Sequence, residues 1–335
     1  MNIKKVAGLS SWGGLILVLA LVMVVMSYFV IYFLQGVKEV ENGWRQDTPT
    51  KIKNFGSTKT LSILPLVNWH TSNKNLKGEA GVSYLIKTDT QTILFDMGFN
   101  QDGESPSPLQ HNMAELGITL DDIDTLFLSH HHLDHSGGQN WVNKNTFSLG
   151  TQQMDLSGKQ IFSTSPIEYP NVFVKVNPNA SVIGDGAASI GGIARQLFMG
   201  RIDEQALAIN VEGKGLVVIV GCGHQTLPKI LARTQRVFDQ PIYGLVGDLH
   251  YPVPDGRLNL LGINLQRVFA SGNGPFNNIN NETINQEIEM LKALSPAVVA
   301  LGGHDSSDEV IERFNKAFPE QYQYVRVGQW ITVAK

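Results

Sequence analysis

The chain of 335 residues contains a single cysteine, Cys222. One thiol excludes an intrachain disulfide framework, and it leaves the cellular compartment open. Clusters of basic residues are absent too, since no stretch holds five consecutive Lys or Arg and the formal net charge is −4. A protein that tracks a nucleic-acid backbone needs such a basic surface. We therefore expect no nucleic-acid partner.

Three common catalytic signatures are also missing. The sequence has no G-x-S-x-G string of serine hydrolases, no Rossmann fingerprint and no P-loop. It shows no short-period repeat and no low-complexity tract. Hydrophobic residues make up 42% and charged residues 17% of the chain, which is typical of a folded protein. The length suits one large domain or two ordinary ones.

Charge is lacking altogether between Lys5 and Lys38, where the sequence reads WGGLILVLALVMVVMSYFVIYFLQG. A run of about 20 apolar residues crosses a bilayer as a helix. We therefore predict a short tail over residues 1–10 and an uncleaved transmembrane anchor over residues 11–35. Aromatic residues near both ends of the run fit the membrane interfaces: Trp12, Tyr28 and Tyr32.

A cleaved signal peptide is the alternative interpretation of this segment, with Lys4 and Lys5 as its basic start. Its apolar core would be shorter, and no A-x-A-like cleavage site follows. The lysines before the run favour an N-terminus inside the cell. We therefore expect a single-pass membrane protein whose catalytic domain is extracytoplasmic, either periplasmic or extracellular.

The polar segment 36–58 is predicted as a linker, and residues 59–335 as the catalytic domain. Short apolar runs in this domain are bounded by turn residues, and amphipathic runs lie between them. Two pairs of strands form predicted hairpins, at 82–98 and 207–223, and each is followed by strands alternating with helices. This order favours an α/β sandwich with mixed sheets. The other predicted strands are 60–67, 125–129, 241–250 and 297–304, and the predicted helices are 111–124, 227–238 and 281–294.

Four histidines and one aspartate occur within six consecutive positions, in the sequence LSHHHLDHSGG at residues 128–138. In an extended backbone alternate side chains point the same way, so His130 and His132 can bind one metal ion. A turn at Leu133 would direct Asp134 and His135 toward a second position. Imidazole and carboxylate ligands together suit Zn²⁺ or a similar transition metal. Chance clustering explains a lone histidine well, but it does not explain H-x-H-x-D-H at the end of a strand.

The H-x-H-x-D-H string resembles the signature of the metallo-β-lactamase superfamily. TILFDMG at 92–98 is similar to that superfamily's first motif, and GCGH at 221–224 and LGGH at 301–304 are similar to its later ligand motifs. The ordered set of motifs looks like the subgroup of 7,8-dihydropterin-6-methyl-4-(β-D-ribofuranosyl)aminobenzene-5′-phosphate synthase, over residues 60–333. The resemblance implies a four-layer αβ/βα sandwich with mixed sheets. The chain departs from the subgroup after its last histidine, where Asp305 follows His304 in place of the usual cysteine.

The resemblance also implies a ligand set for two divalent metal ions. His130 and His132 would hold the first ion with His224, and Asp134 and His135 would hold the second with His304. Zinc is expected, with manganese or iron as alternatives. Cys222 is a further possible metal ligand. Asp96 is expected to contact a ligand, and Asp203 and Glu204 are expected to do so or to face solvent.

Cys222 takes the place of the aspartate that bridges two metals in many relatives. Its thiolate would bridge the ions, or the side chain would simply pack at the strand end, and the sequence does not decide between the two. Asp203 and Glu204 are the alternative sources of a carboxylate. Asp96 is expected to orient a ligating histidine through a hydrogen bond.

The remaining candidates concern the substrate pocket. His250 ends a strand as His224 and His304 do, so we expect it in the pocket, with Arg195 and Arg201 as candidates for binding an anionic group. The alternative for both arginines is a solvated surface position. His70 and His111 are expected to be ordinary polar residues.

These residues predict a membrane-anchored hydrolase with two metals and a metal-bridging hydroxide. Its substrate would be a small anionic ester, lactone, thioester or phosphoester, and Asp134 would be the catalytic residue that also binds metal. The alternatives are a dihydropterin-type synthase activity, or a non-hydrolytic metal-binding or redox protein with the same fold. The sequence does not indicate an oligomeric state.

Overall fold

The structure is a computed structural model that describes residues 11–198 and 200–334. The predicted tail 1–10, with Lys4 and Lys5, lies outside the described residues. The first helix, α1, spans Ser11–Gln46. The five later α-helices are α2 Pro108–Glu115, α3 Gln139–Asn143, α4 Leu227–Val237, α5 Asn281–Lys292 and α6 Asp308–Ala317.

Seventeen strands are assigned in the described residues. The first six are β1 Leu61–Val67, β2 Ser83–Thr88, β3 Thr92–Phe95, β4 Thr125–Phe127, β5 Gln160–Ser163 and β6 Val174–Val176. The next six are β7 Ser181–Gly184, β8 Ala187–Ser189, β9 Ile193–Leu197, β10 Gly200–Glu204, β11 Leu207–Val211 and β12 Gly215–Val220. The last five are β13 Ile242–Gly247, β14 Asn259–Leu260, β15 Ile263–Asn264, β16 Val298–Leu301 and β17 Ile331–Ala334.

The strands form two large mixed sheets. The first has the order β17-β1-β2-β3-β4-β5-β6, antiparallel from β17 to β3 and parallel from β3 to β6. The second has the order β16-β13-β12-β11-β8-β7, parallel from β16 to β12 and antiparallel beyond. Both predicted hairpins are present, as β2–β3 and β11–β12. The expectation of mixed sheets is confirmed.

Apolar packing arranges the two sheets and the helices in four layers. One buried cluster joins the facing sides of the two sheets, where Phe95 and Phe127 meet Ile219 and Val246. A second cluster lies between the second sheet and helices α4, α5 and α6. A third lies between the first sheet and α2. This is the layer order that the sequence resemblance implies.

Helix α1 is long and apolar enough to cross a membrane, by length and composition only. Its most apolar 18-residue window has a mean hydropathy of 2.8, and none of that window is buried. The helix continues past the predicted boundary at residue 35, so the first part of the predicted linker 36–58 is helical. Whether the chain divides into tail, anchor, linker and domain as predicted stays a prediction.

The polar end of α1 packs on the catalytic domain. The Glu41 carboxylate lies 2.6 Å from the Arg195 guanidinium and 2.7 Å from the Lys229 ammonium. The Trp44 ring lies under three cations of the domain, at 5.2–5.4 Å from its centroid: Lys229, Arg233 and Arg236. These contacts between distant parts of the chain stabilise the part of the helix that follows the apolar run. The composition of the segment alone does not reveal them.

Residues just before position 59 also pack on the sheets and helices. Phe55 is buried and its ring centroid lies 5.1 Å from that of Phe238 in the core between sheet and helices. The Ile52 amide donates a hydrogen bond of 2.9 Å to the Val237 carbonyl. The segment 52–58 is therefore part of the folded domain and not a free linker.

We expect a chain that starts at residue 48 to be soluble and to retain most of its stability. A chain that starts at residue 59 should lose about 3 kcal/mol, since it lacks the buried Phe55 ring. Urea unfolding of both chains, with metal supplied, measures the difference. Equal midpoints would contradict a structural role for Phe55, and an insoluble 48–335 chain would make α1 part of the folding unit.

Candidate metal centre

The clustered histidines leave the first sheet at the end of β4. The Ser129 amide and hydroxyl both donate to the Asp96 carboxylate, at 2.7 Å and 2.6 Å. Asp96 itself follows β3, the parallel neighbour of β4. Gly137 closes the loop, with a φ of 83° and a position where any Cβ would lie 1.9 Å from the Ser148 carbonyl oxygen. The two adjacent strands and this glycine hold the loop 128–138 in place.

Three buried imidazole rings are each oriented by a hydrogen bond at Nδ1. The Nδ1 atoms of His130, His135 and His224 lie 2.9, 2.7 and 2.8 Å from an acceptor oxygen. These oxygens belong to Ser129, Asp96 and Ala270 respectively. Since Nδ1 donates its proton in each case, each Nε2 presents a lone pair. The contact of His135 is the one that sequence analysis predicts for Asp96.

The Nε2 atoms of the same three histidines are buried and have no hydrogen-bond partner among the described residues. An unsatisfied buried nitrogen is costly, and a coordinated metal ion removes that cost. Imidazole, carboxylate and thiolate donors suit Zn²⁺ and related divalent metals. The side chains therefore fit a metal centre.

The structure brings all seven predicted ligand residues together. In each of three sets the ligand atoms lie within 4.8 Å of one another. The sets are His130–His132–Asp134, His130–Cys222–His224 and Asp134–His135–Cys222–His304. His132 and His224 are also close, with ring centroids 5.1 Å apart. The sets overlap, so two neighbouring metal positions would share ligand residues.

Cys222 lies at the centre of this arrangement. Its Sγ is 3.8 Å from His304 Nε2 and 3.7 Å from His250 Nδ1. Burial, with the nearby carboxylates of Asp305 and Asp134, raises the pKa of the thiol well above its usual value. Cys222 is therefore a neutral thiol unless a cation stabilises the thiolate.

Asp134 is the ligand candidate with the most accessible carboxylate, at 20% side-chain exposure. Burial alone would raise its pKa, but His135, His304 and His132 together hold the pKa well below its usual value. Burial also lowers the pKa of His132, to about 4. Both groups therefore have the protonation states that metal binding requires at neutral pH.

Glu204 supports the loop 221–224, which follows β12 and carries Cys222 and His224. Its buried carboxylate accepts hydrogen bonds of 2.9, 2.9 and 2.8 Å from the amides of Cys222, Gly223 and His224. Burial raises its pKa to about 7, although these three hydrogen bonds oppose the rise. Its neighbour Asp203 instead faces solvent and pairs with Arg201. Neither carboxylate belongs to the candidate ligand sets.

Asp305 is a site residue that sequence reasoning missed. Its Oδ2 lies 2.9 Å from both His250 Nδ1 and His304 Nε2, and it also contacts Cys222 Sγ. Cys222, His250 and Asp305 form a fourth set of possible ligand atoms. Its position directly after His304, where the resembling subgroup has cysteine, is the signal that could have identified it.

His250 is buried beside the candidate ligands, with its ring centroid 4.9 Å from that of His224, and its expected role in the substrate pocket stays a prediction. A further buried group supports the His304 loop, because Asp248 accepts hydrogen bonds from Tyr84, Asn68 and the His304 amide.

The two predicted pocket arginines have other partners. Arg195 binds Glu41 of α1 and the Gly272 carbonyl, and Arg201 pairs with Asp203 on the surface. Each arginine is therefore paired with a protein carboxylate, and its expected contact with an anionic substrate stays a prediction. The three remaining histidines have other partners: His70 lies beside Asp308, His111 is bonded to the Asn75 carbonyl and His131 to the Thr146 carbonyl.

A cleft of about 450 Å³ adjoins the histidine loop. Leu133, between two ligand candidates, lines it together with Phe99, Trp141 and Lys144. The Lys144 ammonium lies 4.9 Å from the centroid of the Trp141 ring. The cleft thus offers aromatic surface and one positive charge beside the histidine loop, and none of the seven candidate ligands lines it.

Comparison with known proteins agrees with this geometry. Residues 76–147 match the model of the metallo-β-lactamase superfamily. The crystal structure of Tm1679, titled a metal-dependent hydrolase of that superfamily, superposes with a TM-score of 0.54 at 18% identity. It covers 82% of this chain and 100% of the other. The metallo-β-lactamase fold protein YhfI from Bacillus subtilis gives a TM-score of 0.50 at 12% identity, with the same coverage.

The chain has the metallo-β-lactamase fold. Its sequence is also 23% identical over 325 residues to the 7,8-dihydropterin-6-methyl-4-(β-D-ribofuranosyl)-aminobenzene-5′-phosphate synthase of Methanocaldococcus jannaschii. That alignment covers 84% of this chain and 99% of the relative. A 61-residue segment is 39% identical to transcription termination factor FttA of Cenarchaeum symbiosum, over only 10% of that protein. The first relative thus matches nearly end to end, and the second matches locally.

We expect His132→Ala to lower the metal content from two to about one equivalent per chain, because the first position loses a ligand. Most activity should be lost, while the apolar core should stay folded. Elemental analysis of the purified protein, with circular dichroism, measures both effects. His111→Ala is the matched control and should keep its metal. Two retained equivalents in His132→Ala would contradict the assignment.

Proposed function

We propose that the chain is a metal-dependent hydrolase that α1 holds at a membrane. Its substrate would be a small anionic ester, lactone, thioester or phosphoester. The observation that carries the proposal is that three buried, unpartnered Nε2 atoms, those of His130, His135 and His224, belong to overlapping sets of possible ligand atoms around Asp134 and Cys222. The superfamily fold supports the coarse class, since it is mostly a fold of hydrolases that bind divalent metals.

The residues that would hold the first divalent metal are His130, His132 and His224. Those for the second are Asp134, His135 and His304, with Cys222 between the two positions. We expect zinc. A metal bound there would supply Lewis acidity and would make water a nucleophile near neutral pH.

Asp134 is the side chain that we assign to proton transfer. Its low pKa keeps it a carboxylate at neutral pH, and its Oδ2 lies 3.1 Å from His304 Nε2. Its partial exposure lets it contact a substrate.

The cleft beside Leu133 would receive the substrate. Lys144 would attract an anionic group, and Phe99 and Trp141 would contact apolar parts of the substrate. This assigns to Lys144 the role that sequence analysis gave to the two arginines.

A synthase activity is the second candidate function. The near end-to-end match to the archaeal synthase favours it. The substitution of Asp305 for cysteine at the metal centre and the apolar helix α1 both weigh toward a different substrate. A panel of substrates that includes dihydropterins separates the two candidates.

We expect the purified chain to hydrolyse small phosphodiester, lactone or thioester probes, and to lose this activity with a chelator. Added zinc should restore it, because the ligands are side chains that survive metal removal. Single-stranded RNA and DNA serve as competitors in the same assay. Efficient cleavage of nucleic acid with every small probe inert would contradict the substrate class. Iron with visible absorbance in place of zinc would instead favour a redox function.

The orientation of the domain has its own test. With Lys4 and Lys5 inside the cell, the domain should lie outside, so protease added to intact cells or spheroplasts should digest it. A cytoplasmic marker protein serves as the control for leakage. Full protection of the domain would reverse the orientation.

A further inference from the structure

Several apolar side chains are exposed in one segment of the chain, and one of them, Phe276, contacts the helix that would cross the membrane. They lie on the hairpin β14–β15 and on the chain that follows it, here called the cover segment, residues 257–276. Leu261 is 94% exposed and Phe276 is 65% exposed. Leu258, Leu260 and Ile263 are exposed as well. A soluble surface rarely groups so many large apolar side chains without a partner.

The tip of the hairpin β14–β15 combines a strained backbone conformation with an exposed apolar side chain. Leu261 and Gly262 form a two-residue turn in which both φ angles are positive, at 50° and 79°. Such turns favour Asn-Gly, because leucine is strained in this conformation. Leu261 is therefore unfavourable both in its backbone and in its exposure, which points to a contact made outside the chain.

The cover segment also contacts α1, near the end of the apolar run of this helix. Phe33 of α1 is buried, with its ring centroid 5.9 Å from Phe276 and 6.0 Å from Phe198. Phe198 in turn lies 5.3 Å from Phe269 of the cover segment. Phe33 precedes Lys38, the first charged residue after the apolar run, by about 8 Å along the helix. If α1 crosses a bilayer, these rings lie at the boundary between headgroups and acyl chains.

The other side of the cover segment forms part of the candidate metal centre. The Ala270 carbonyl accepts a hydrogen bond from His224, and Gln266 donates to Asp305. Arg257 anchors the base of the hairpin to the Gly303 and Ser306 carbonyls. The segment therefore joins the site to the apolar end of α1.

We propose that the cover segment is a second membrane contact, with the hairpin tip, Phe276 and Phe198 seated in the bilayer surface beside α1. The proposal rests on α1 lying in a membrane, as the proposed function holds. The occupant is the lipid surface, because Phe276 and Phe198 contact α1 through Phe33, near the end of its apolar run, and the exposed hairpin side chains belong to the same segment as Phe276.

A single-cysteine label tests the contact in the full chain, since Cys222 is buried and so protected from the reagent. Leu260→Cys carries an environment-sensitive fluorophore in lipid nanodiscs that contain a quenching doxyl lipid. Two further positions are labelled in the same way: Val24→Cys in α1 and the exposed Trp330→Cys before β17. We expect quenching at positions 260 and 24, and none at position 330.

The outcomes separate this proposal from the proposed function, because the label needs no turnover. Quenching at position 24 without quenching at position 260 would overturn the second contact and leave the anchor standing. No quenching at either position would overturn both. A shielded but unquenched label at position 260 would indicate a second copy of the chain and overturn the lipid contact. Leu261→Asn, which keeps the turn geometry, should lower the quenching at position 260 if the tip inserts.

Discussion

Buried imidazole nitrogens are the constraint on which the rest of the site depends. His130, His135 and His224 each bury an Nε2 without a partner in the described chain. The structure tolerates them because each Nδ1 is held by an oxygen and because a cation can occupy the place where they converge. The surrounding contacts, from Ser129 and Asp96 to the amides bound by Glu204, all keep these rings in that geometry.

The arrangement of the two sheets brings the ligand loops together. Each ligand loop follows the carboxyl end of a strand, β4 in the first sheet and β12, β13 and β16 in the second. The three strands of the second sheet are parallel, so their carboxyl ends meet at one edge. Apolar packing between the sheets then brings β4 to the same edge. Loops that are far apart in sequence thereby contribute to one centre.

The cover segment connects this centre to the helix α1. The same stretch of chain supplies the Ala270 carbonyl to His224 and the Phe276 ring to Phe33. A change in the surroundings of α1 would therefore act on a segment that also orients a ligand histidine. Glu41 and Trp44 also hold the helix against the domain, with ion pairs and cation–π contacts.

The amino-acid sequence by itself determined the local features. The spacing of His130, His132, Asp134 and His135 predicts their convergence, because alternate residues of an extended chain share a face. Apolar runs predicted β1, both hairpins and the main strands, and the uncharged N-terminal run predicted a helix. These inferences succeed because they depend on residues that are near one another in the chain.

The tertiary structure alone decided which distant residues meet. Asp305 contacts Cys222 across 83 positions, and Arg195 contacts Glu41 across 154. The local pattern does not show that Arg195 pairs with a helix residue, and it marks Asp305 only by its place after His304, without showing which side chains it meets. The extension of α1 to Gln46 and the burial of Phe55 likewise depend on the domain surface against which they pack. Such contacts follow from sheet pairing and layer packing, which no short stretch of sequence encodes.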